Sequence, residues 1–191
     1  MLRCDGSWDI ASHPLADSTG TIHPVNREGV QVGHSPWRSF AKIIKERTGM
    51  PIGLIPSAGG GAELDRWDKT VDGSLFENMA EMVKFAGGKA RGVLWHQGCN
   101  DAVSGRSADY FERFRRVAVD FRSAFGDAAL PIFTVQLNKA ICTKNNTAYY
   151  GDDWGLVREA QRRAADELDS VYRPAPCSIQ IWDINGYPFQ A

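Results

Sequence analysis

Residues 91–97 read RGVLWHQ, a short apolar run that follows a glycine pair at 87–88 and stops at Gly98. Its length, its apolar content and the glycines that bound it are typical of a buried β-strand. Two further runs share the pattern, PIGLIPS from Pro51 and PIFTVQL from Pro131. We therefore predict strands at about 51–57, 92–97 and 131–137.

Stretches with helical periodicity separate these runs. Ser35 followed by Pro36 is typical of an N-cap with proline at the first helical position, and Gly49 ends that helix. Ser107 is the expected cap of a long helix that ends before Gly126. The apolar positions that recur at helical spacing are Trp37, Phe40, Ala41 and Ile44; Leu75, Met79, Met82 and Val83; Tyr110, Phe114, Val117, Phe121 and Phe125; and Leu156, Ala160, Ala164 and Leu168.

The alternation of helices with continuously apolar strands predicts the fold class. Strands of this kind form a parallel sheet that is covered on both faces. We therefore predict an α/β fold, a three-layer α/β/α sandwich, in a single domain over residues 1–191. Residues 1–34 show no periodicity and are predicted to be irregular, and residues 172–191 form an atypical tail.

Length and composition exclude several classes of protein. A formal net charge of −1 over 191 residues offers no basic surface for nucleic acid. No apolar run approaches the roughly 18 residues of a membrane span, and the first residues lack the pattern of a signal peptide. As printed, the chain is expected to be cytoplasmic, or secreted or periplasmic if a signal precedes it. The oligomeric state stays open.

Cysteines and histidines show no metal-binding spacing. Neither a CxxC nor an HExxH pattern occurs, so we predict no metal and no cofactor. The residues concerned are Cys4, Cys99, Cys142, Cys177, His13, His23, His34 and His96.

Polar and glycine-rich turns follow the predicted strands, where open parallel sheets bind ligands. The first turn is 59–61, three glycines in which a backbone N–H of Gly60 or Gly61 could donate to an anionic oxygen. The alternative is a flexible turn without a ligand. The second turn reads HQGCND over 96–101 and suits an oxyanion hole, unless its amides only cap the turn. Gln136 and Asn138 follow the third strand, where loop capping is the simpler role.

Four segments of the chain together resemble a known family. They read GHSPWRSFAKIIKERTGMPIGLIPSAGGGAELDRW (33–67), GVLWHQGCNDA (92–102), PIFTVQLN (131–138) and WGLVREAQR (154–162). They resemble the sialate O-acetylesterase-like carbohydrate esterases of the SGNH, or GDSL-like, hydrolase superfamily. The resemblance runs from about Trp8 to about Val171.

The resemblance implies an activity and a set of site residues. Family members hydrolyse ester bonds, typically of acetyl groups on sugars or xylan, so the expected substrate is an acetylated carbohydrate or a small ester. The oxyanion-hole candidates are Gly60, Gln97 and Asn100. The pocket candidates are Gly61, His96, Gly98 and Asp101. Both amides are present here, so the choice of oxyanion donor between Gln97 and Asn100 stays open.

Two blocks of the family are not found in this sequence. The family places its nucleophilic serine in a G-Q-S-N-like block and its histidine base in a D-x-x-H block, yet the last histidine here is His96. The chain is therefore expected to be a fragment, incomplete at both ends, or inactive. Ser35 is a weak candidate nucleophile, with an alternative role as a helix cap. In a further alternative, His96 acts as the base for Ser57.

Two other functions are alternatives to an esterase. A non-catalytic carbohydrate-binding or scaffold protein on the same fold would stack exposed aromatics such as Trp67 and Trp154 on sugar faces. A nucleotide-binding protein would use the glycine triplet, but the chain lacks the lysine of a phosphate-binding loop.

Overall fold

A computed structural model describes residues 1–3, 5–15, 35–137 and 152–173 of the chain. The chain divides into two compact units. The first comprises Met1–Gly60 and Arg66–Ala90, and the second comprises Gly61–Asp65 and Arg91–Ala191.

The first unit contains two helices that the sequence predicts. Helix α1 spans Pro36–Thr48, begins where the Ser35 side chain accepts a hydrogen bond from Trp37 N, and ends at Gly49 in the left-handed conformation. Helix α2 spans Leu75–Phe85 and buries the predicted stripe of Leu75, Met79, Met82 and Val83. The predicted cap role of Ser35 is thereby confirmed.

The predicted strand at 51–57 is wrong. Residues 51–57 have no regular secondary structure, although Leu54 is buried and its carbonyl oxygen accepts a bond from Leu2 N at 2.9 Å. Pro51 and Pro56 have no N–H to donate to a ladder, which limits strand pairing. At Gly53 the chain passes so close to Trp8 that a β-carbon would lie 2.9 Å from the indole.

The second unit contains a parallel three-stranded sheet. Its strands are β1 (Val93–Trp95), β2 (Ile132–Thr134) and β3 (Val171–Tyr172), in the order β1-β2-β3. The register pairs Trp95 with Thr134 and Ile132 with Val171. The predicted α/β fold with a parallel sheet is confirmed, with two of the predicted strands present and β3 unforeseen.

Helices α3 (Cys99–Val103), α4 (Tyr110–Phe125) and α5 (Asp152–Glu167) complete the second unit. The indole of Trp95 on β1 packs against two rings of α4, with ring centroids 6.0 Å from Phe114 and 5.6 Å from Phe121. Buried apolar side chains fill the space between sheet and helices. They include Leu130, Ile132, Val157, Ala164 and Val171.

Ser107 does not cap α4, contrary to the prediction. Asp109 occupies the N-cap position and makes no side-chain cap bond, while Gly126 ends the helix in the left-handed conformation as predicted. The hydroxyl of Ser107 donates instead to the carboxylate of Asp153 on α5. Hydrogen bonds to a charged acceptor are stronger than neutral ones, so this bond fixes the hydroxyl on α5.

A 3-10 helix over Leu64–Trp67 is the remaining helical element of the described chain. None of the helices in the described ranges is both long enough and apolar enough to cross a membrane. Within residues 1–3, 5–15, 35–137 and 152–173, no group of His, Cys, Asp or Glu side chains could hold a metal ion. The predictions of an irregular segment over 1–34 and a tail over 172–191 fall partly on 16–34 and 174–191, which lie outside the described residues. Of their described parts, residues 1–3 and 5–15 contain an isolated antiparallel bridge between Leu2 and Trp8, and Tyr172 belongs to β3.

Candidate active site

The turn that follows β1 is built around Gly98. Its φ of 131° is open to glycine and strained for other residues. A β-carbon at this position would lie 2.8 Å from Val157 Cγ1, 3.1 Å from Gln161 Nε2 and 3.3 Å from the hydroxyl of Tyr110. The turn therefore packs directly on side chains of α4 and α5, and the residue at position 98 must be glycine.

Gln97 is hydrogen-bonded through both ends of its side-chain amide. Its Nε2 donates to the carbonyl oxygen of Ala62 at 3.0 Å and to the carboxylate of Asp101. Its Oε1 accepts from the hydroxyl of Tyr110 at 3.1 Å. Burial raises the pKa of Tyr110, so the hydroxyl keeps its proton. An amide nitrogen has only two hydrogens, and both of those on Gln97 are used within the protein.

Asn100 differs from Gln97 in how much of its amide is used. Its Nδ2 donates to the carbonyl oxygen of Gly61, and it is half-buried. The other hydrogen on Nδ2 has no hydrogen-bond partner among the described residues. Gly61 itself has a φ of 68°, and a β-carbon there would lie 3.5 Å from Asn100 Nδ2. That distance is an ordinary van der Waals contact, so the positive φ is what favours glycine at this position.

Asp101 is buried completely and completes the junction between the two segments. Its Oδ2 accepts from the backbone N–H of Leu64 at 3.2 Å, as well as from Gln97. Together with the bonds described above, three side chains of residues 97–101 bind three backbone groups of residues 61–64. These hydrogen bonds hold residues 61–64 against the turn after β1.

A buried arginine neutralises this carboxylate. Arg113 Nη1 lies 2.7 Å from Asp101 Oδ1 and 3.2 Å from Asp65 Oδ1, and its Nε lies 2.9 Å from Asp109 Oδ1. Burial works against the charge of the guanidinium, but Asp101 and Asp109 outweigh it, so the pKa of Arg113 is raised. The arginine stays charged under all ordinary conditions.

His96 and Cys99 flank the turn and are exposed. Partial desolvation lowers the pKa of His96, which favours the neutral imidazole, and raises the pKa of Cys99, which favours the thiol. Neither residue has a charged partner that would activate it among the contacts of the described chain. The geometry assigns no proton-transfer role to either.

The remaining candidate residues lie outside the turn that follows β1. Gly60, which is exposed, and Ser57, whose buried hydroxyl has no partner among the described residues, belong to the first unit. Gln136 Nε2 donates to Arg158 O at 2.9 Å, and its Oε1 accepts from Arg173 Nη1 at 3.3 Å. Gln136 therefore connects the chain after β2 to α5 and to Arg173. Asn138 lies outside the described residues.

Sequence reasoning missed the residues that support the turn. The sequence predicts Tyr110 only as part of an apolar helix stripe, and it predicts no site role for Gln161 or Arg113. Polar side chains on the buried side of a helical stripe are the signal that could have identified them, because a buried polar group requires a partner. Arg113 and Gln161 both lie on buried faces, of α4 and α5.

Three comparisons relate the chain to known proteins. The family described as carbohydrate esterase, sialic acid-specific acetylesterase matches residues 1–173. A probable carbohydrate esterase of Arabidopsis thaliana is 29% identical over 143 residues, which cover 71% of this chain and 52% of that protein. The chain thus spans about half the length of this curated relative.

Two solved structures share the fold. The X-ray structure of the same Arabidopsis thaliana protein matches with a TM-score of 0.72 and 26% identity, covering 100% of this chain and 69% of that one. A carbohydrate acetylesterase from Xanthomonas citri matches with a TM-score of 0.57 and 27% identity, covering 70% of this chain and 32% of that one.

Proposed function

The chain belongs to the sialic acid-specific acetylesterase family of carbohydrate esterases, and from that premise we propose that it carries the oxyanion-binding part of an esterase acting on acetylated carbohydrates. The family description and the names of the relatives support this substrate class. The identity of the sugar is left open, because no side chain described above distinguishes one acetylated sugar from another.

One observation carries the proposal: among the described residues, one amide hydrogen of Asn100 has no partner, whereas both amide hydrogens of Gln97 are bonded. Ester hydrolysis passes through a tetrahedral intermediate whose oxyanion is stabilised by fixed N–H donors. The second hydrogen on Asn100 Nδ2 fits that role, because the first one holds the amide against Gly61 O. The two hydrogens of Gln97 instead bind Ala62 and Asp101. We therefore assign the donor to Asn100 and a supporting role to Gln97.

The second donor proposed for the hole is the backbone N–H of Gly61. It belongs to the same unit as Asn100, and the contact between the two residues keeps their relative position fixed. Gly60, which the family resemblance implies, stays a prediction. In a serine esterase the nucleophile attacks the carbonyl carbon, the alcohol of the sugar leaves with a proton, and water then releases the acetyl group as acetate. We assign no residue of this chain to the nucleophile or to the base.

The non-catalytic sugar-binding alternative loses part of its support. Trp67, expected as an exposed stacking platform, is 7% exposed and therefore buried. Trp154 is half-buried. Trp67 therefore offers no open ring face for stacking on a sugar, and Trp154 is only partly accessible.

The test follows side-chain amides by ¹⁵N NMR while acetate, the product of deacetylation, is added to the chain. We expect saturable shifts of the Asn100 side-chain resonances and static resonances for Gln97. Asn100→Ala should abolish acetate binding and lower the melting temperature less than Gln97→Ala does, because the Asn100 side chain makes one hydrogen bond within the described protein and the Gln97 side chain makes three. Shifts at Gln97 with none at Asn100 would contradict the assignment.

A hydrolysis assay with an O-acetylated sugar forms the second arm. Any turnover by the chain should fall by about 10²–10³ in Asn100→Ala, the usual effect of losing one oxyanion donor. Equal binding of the acetylated and the deacetylated sugar, with no hydrolysis of either, would favour the non-catalytic alternative.

A further inference from the structure

We propose that Arg113 is a positioning residue, which holds the segment 61–65 against the turn 97–101 and so fixes the orientation of the site's amides. Its effect on hydrolysis rests on the function proposed above, but its effect on geometry does not. In the sequence its one signal is a charged residue beside the aromatic stripe of a helix, next to Phe114.

The guanidinium of Arg113 contacts four different parts of the second unit. Its side chain is 8% exposed, and its nitrogens reach the carboxylates of Asp65, Asp101 and Asp109. The fourth contact is a hydrogen bond from Nη2 to the carbonyl oxygen of Arg106. Asp65 belongs to the segment after the glycine triplet, and Asp101 belongs to the turn after β1. One side chain therefore bridges the two segments that form the candidate site.

The charge of Arg113 determines what Asp101 can do. A carboxylate that is 0% exposed is unfavourable without a counter-charge, so loss of the arginine would destabilise the position of Asp101. Asp101 accepts from Leu64 N and from Gln97 Nε2, so displacement of its carboxylate would weaken both bonds. The bond from Leu64 N is one of the three that join the segments, and the bond from Gln97 holds that amide within the turn.

The shape of the guanidinium matters as much as its charge. Its planar N–H groups point in several directions at once, which a lysine ammonium on a single stem cannot reproduce. Arg106 also contacts Asp65, at 2.5 Å, but its side chain is 44% exposed and its contribution is screened by water. Lysine at position 113 would preserve the counter-charge for Asp101 and lose most of the bridge.

The test compares Arg113→Lys and Arg113→Met with Arg115→Met, a matched change on the same helix at an exposed arginine that pairs with Glu112. Two readouts report on position: hydrogen exchange of the Leu64 backbone amide and the side-chain resonances of Gln97. We expect exchange at Leu64 to rise at least about tenfold in Arg113→Lys and further in Arg113→Met. The Gln97 resonances should shift in both, and neither readout should change in Arg115→Met.

Several outcomes would overturn the proposal. One is wild-type exchange at Leu64 and wild-type Gln97 resonances in a folded Arg113→Met protein. Another is loss of the whole fold in both variants, seen as collapsed NMR dispersion, because Arg113 would then serve general stability. A tenfold change that appears equally in Arg115→Met would overturn it as well.

The activity arm separates this proposal from the proposed function. If the chain hydrolyses an acetylated sugar, Arg113→Lys should lower kcat by up to about 10²-fold and change KM little, because displaced oxyanion donors weaken transition-state binding. A rise in KM of the same size, with an unchanged kcat, would contradict the positioning role of Arg113. If the wild-type chain hydrolyses nothing, the proposed function fails, and the exchange data still decide the role of Arg113.

Discussion

The side-chain amide of Gln161 donates to the carbonyl oxygen of Gln97 at 2.9 Å and accepts from the backbone N–H of Leu137 at 2.8 Å. Gln161 lies on α5 and is 1% exposed. Gln97 follows β1 and Leu137 follows β2, so one buried side chain joins the carboxyl ends of two adjacent strands. Helix α5 thereby supports the candidate turn through hydrogen bonds of Gln161.

Replacing this glutamine should destabilise the second unit. Gln161→Leu keeps the volume but leaves the Leu137 N–H buried without an acceptor, which costs about 1–3 kcal/mol. We expect a loss of that size in the free energy of unfolding, measured by urea denaturation. Leu156→Gln, the reverse change at an exposed position of the same helix, is the control and should stay within about 0.5 kcal/mol. Equal effects in the two variants would contradict a specific role for Gln161.

Gly98→Ala should be among the most damaging single-methyl changes in the chain. The added β-carbon would meet Val157 Cγ1 at 2.8 Å and sit on a backbone with φ 131°. Overpacking and backbone strain together should cost about 2–5 kcal/mol. The melting temperature of the purified variant, or its recovery in soluble form, measures the effect.

Gly155→Ala is the matched control for that change. Gly155 lies inside α5, and a β-carbon there would have no neighbour within 4 Å. Alanine should therefore stabilise the helix by about 0.5–1 kcal/mol. A Gly98→Ala protein as stable as Gly155→Ala would show that the turn relaxes more than the packing suggests.

The pKa of His96 should lie below its ordinary value of about 6.5, because desolvation disfavours the imidazolium. The folded protein then binds fewer protons at this site than the unfolded chain does. Folding stability from His96 should therefore be complete above about pH 6.5 and decrease as the pH falls through the lowered pKa. Proton NMR titration of the ring, assigned with His96→Gln, measures the midpoint. A midpoint above that of a free histidine would contradict the prediction.

The 191-residue chain alone should show little esterase activity. Ser35 accepts from Trp37 N as a helix cap, and no base contacts its hydroxyl among the described residues. Turnover of p-nitrophenyl acetate should thus lie far below the 1–10³ per second that is roughly typical of enzymes. Ser35→Ala should lower stability by about 1 kcal/mol and leave any activity unchanged. Ordinary turnover that is abolished by Ser35→Ala or His96→Ala would show a working catalytic group.

Local sequence determined the elements whose contacts are local. The cap at Ser35 and the glycines that end α1 and α4 depend on bonds between residues two to five positions apart, and their signals are visible in the sequence. The apolar runs at β1 and β2 likewise identified two strands of a parallel sheet. The family resemblance added the HQGCND turn as the place to look for chemistry.

Tertiary structure decided which polar groups are already used. Gln97 and Asn100 look equivalent in the sequence, but Ala62, 35 residues away, takes one hydrogen of Gln97, and Asp101 takes the other. Ser107 likewise does not cap α4, and its hydroxyl donates to Asp153, 46 residues away. Hydrophobic periodicity reports which side of an element is buried, whereas a hydrogen-bond donor chooses among acceptors that only the folded chain brings near. For that physical reason the sequence located the turn, and the folded chain shows which amide hydrogens in it are already bonded within the protein.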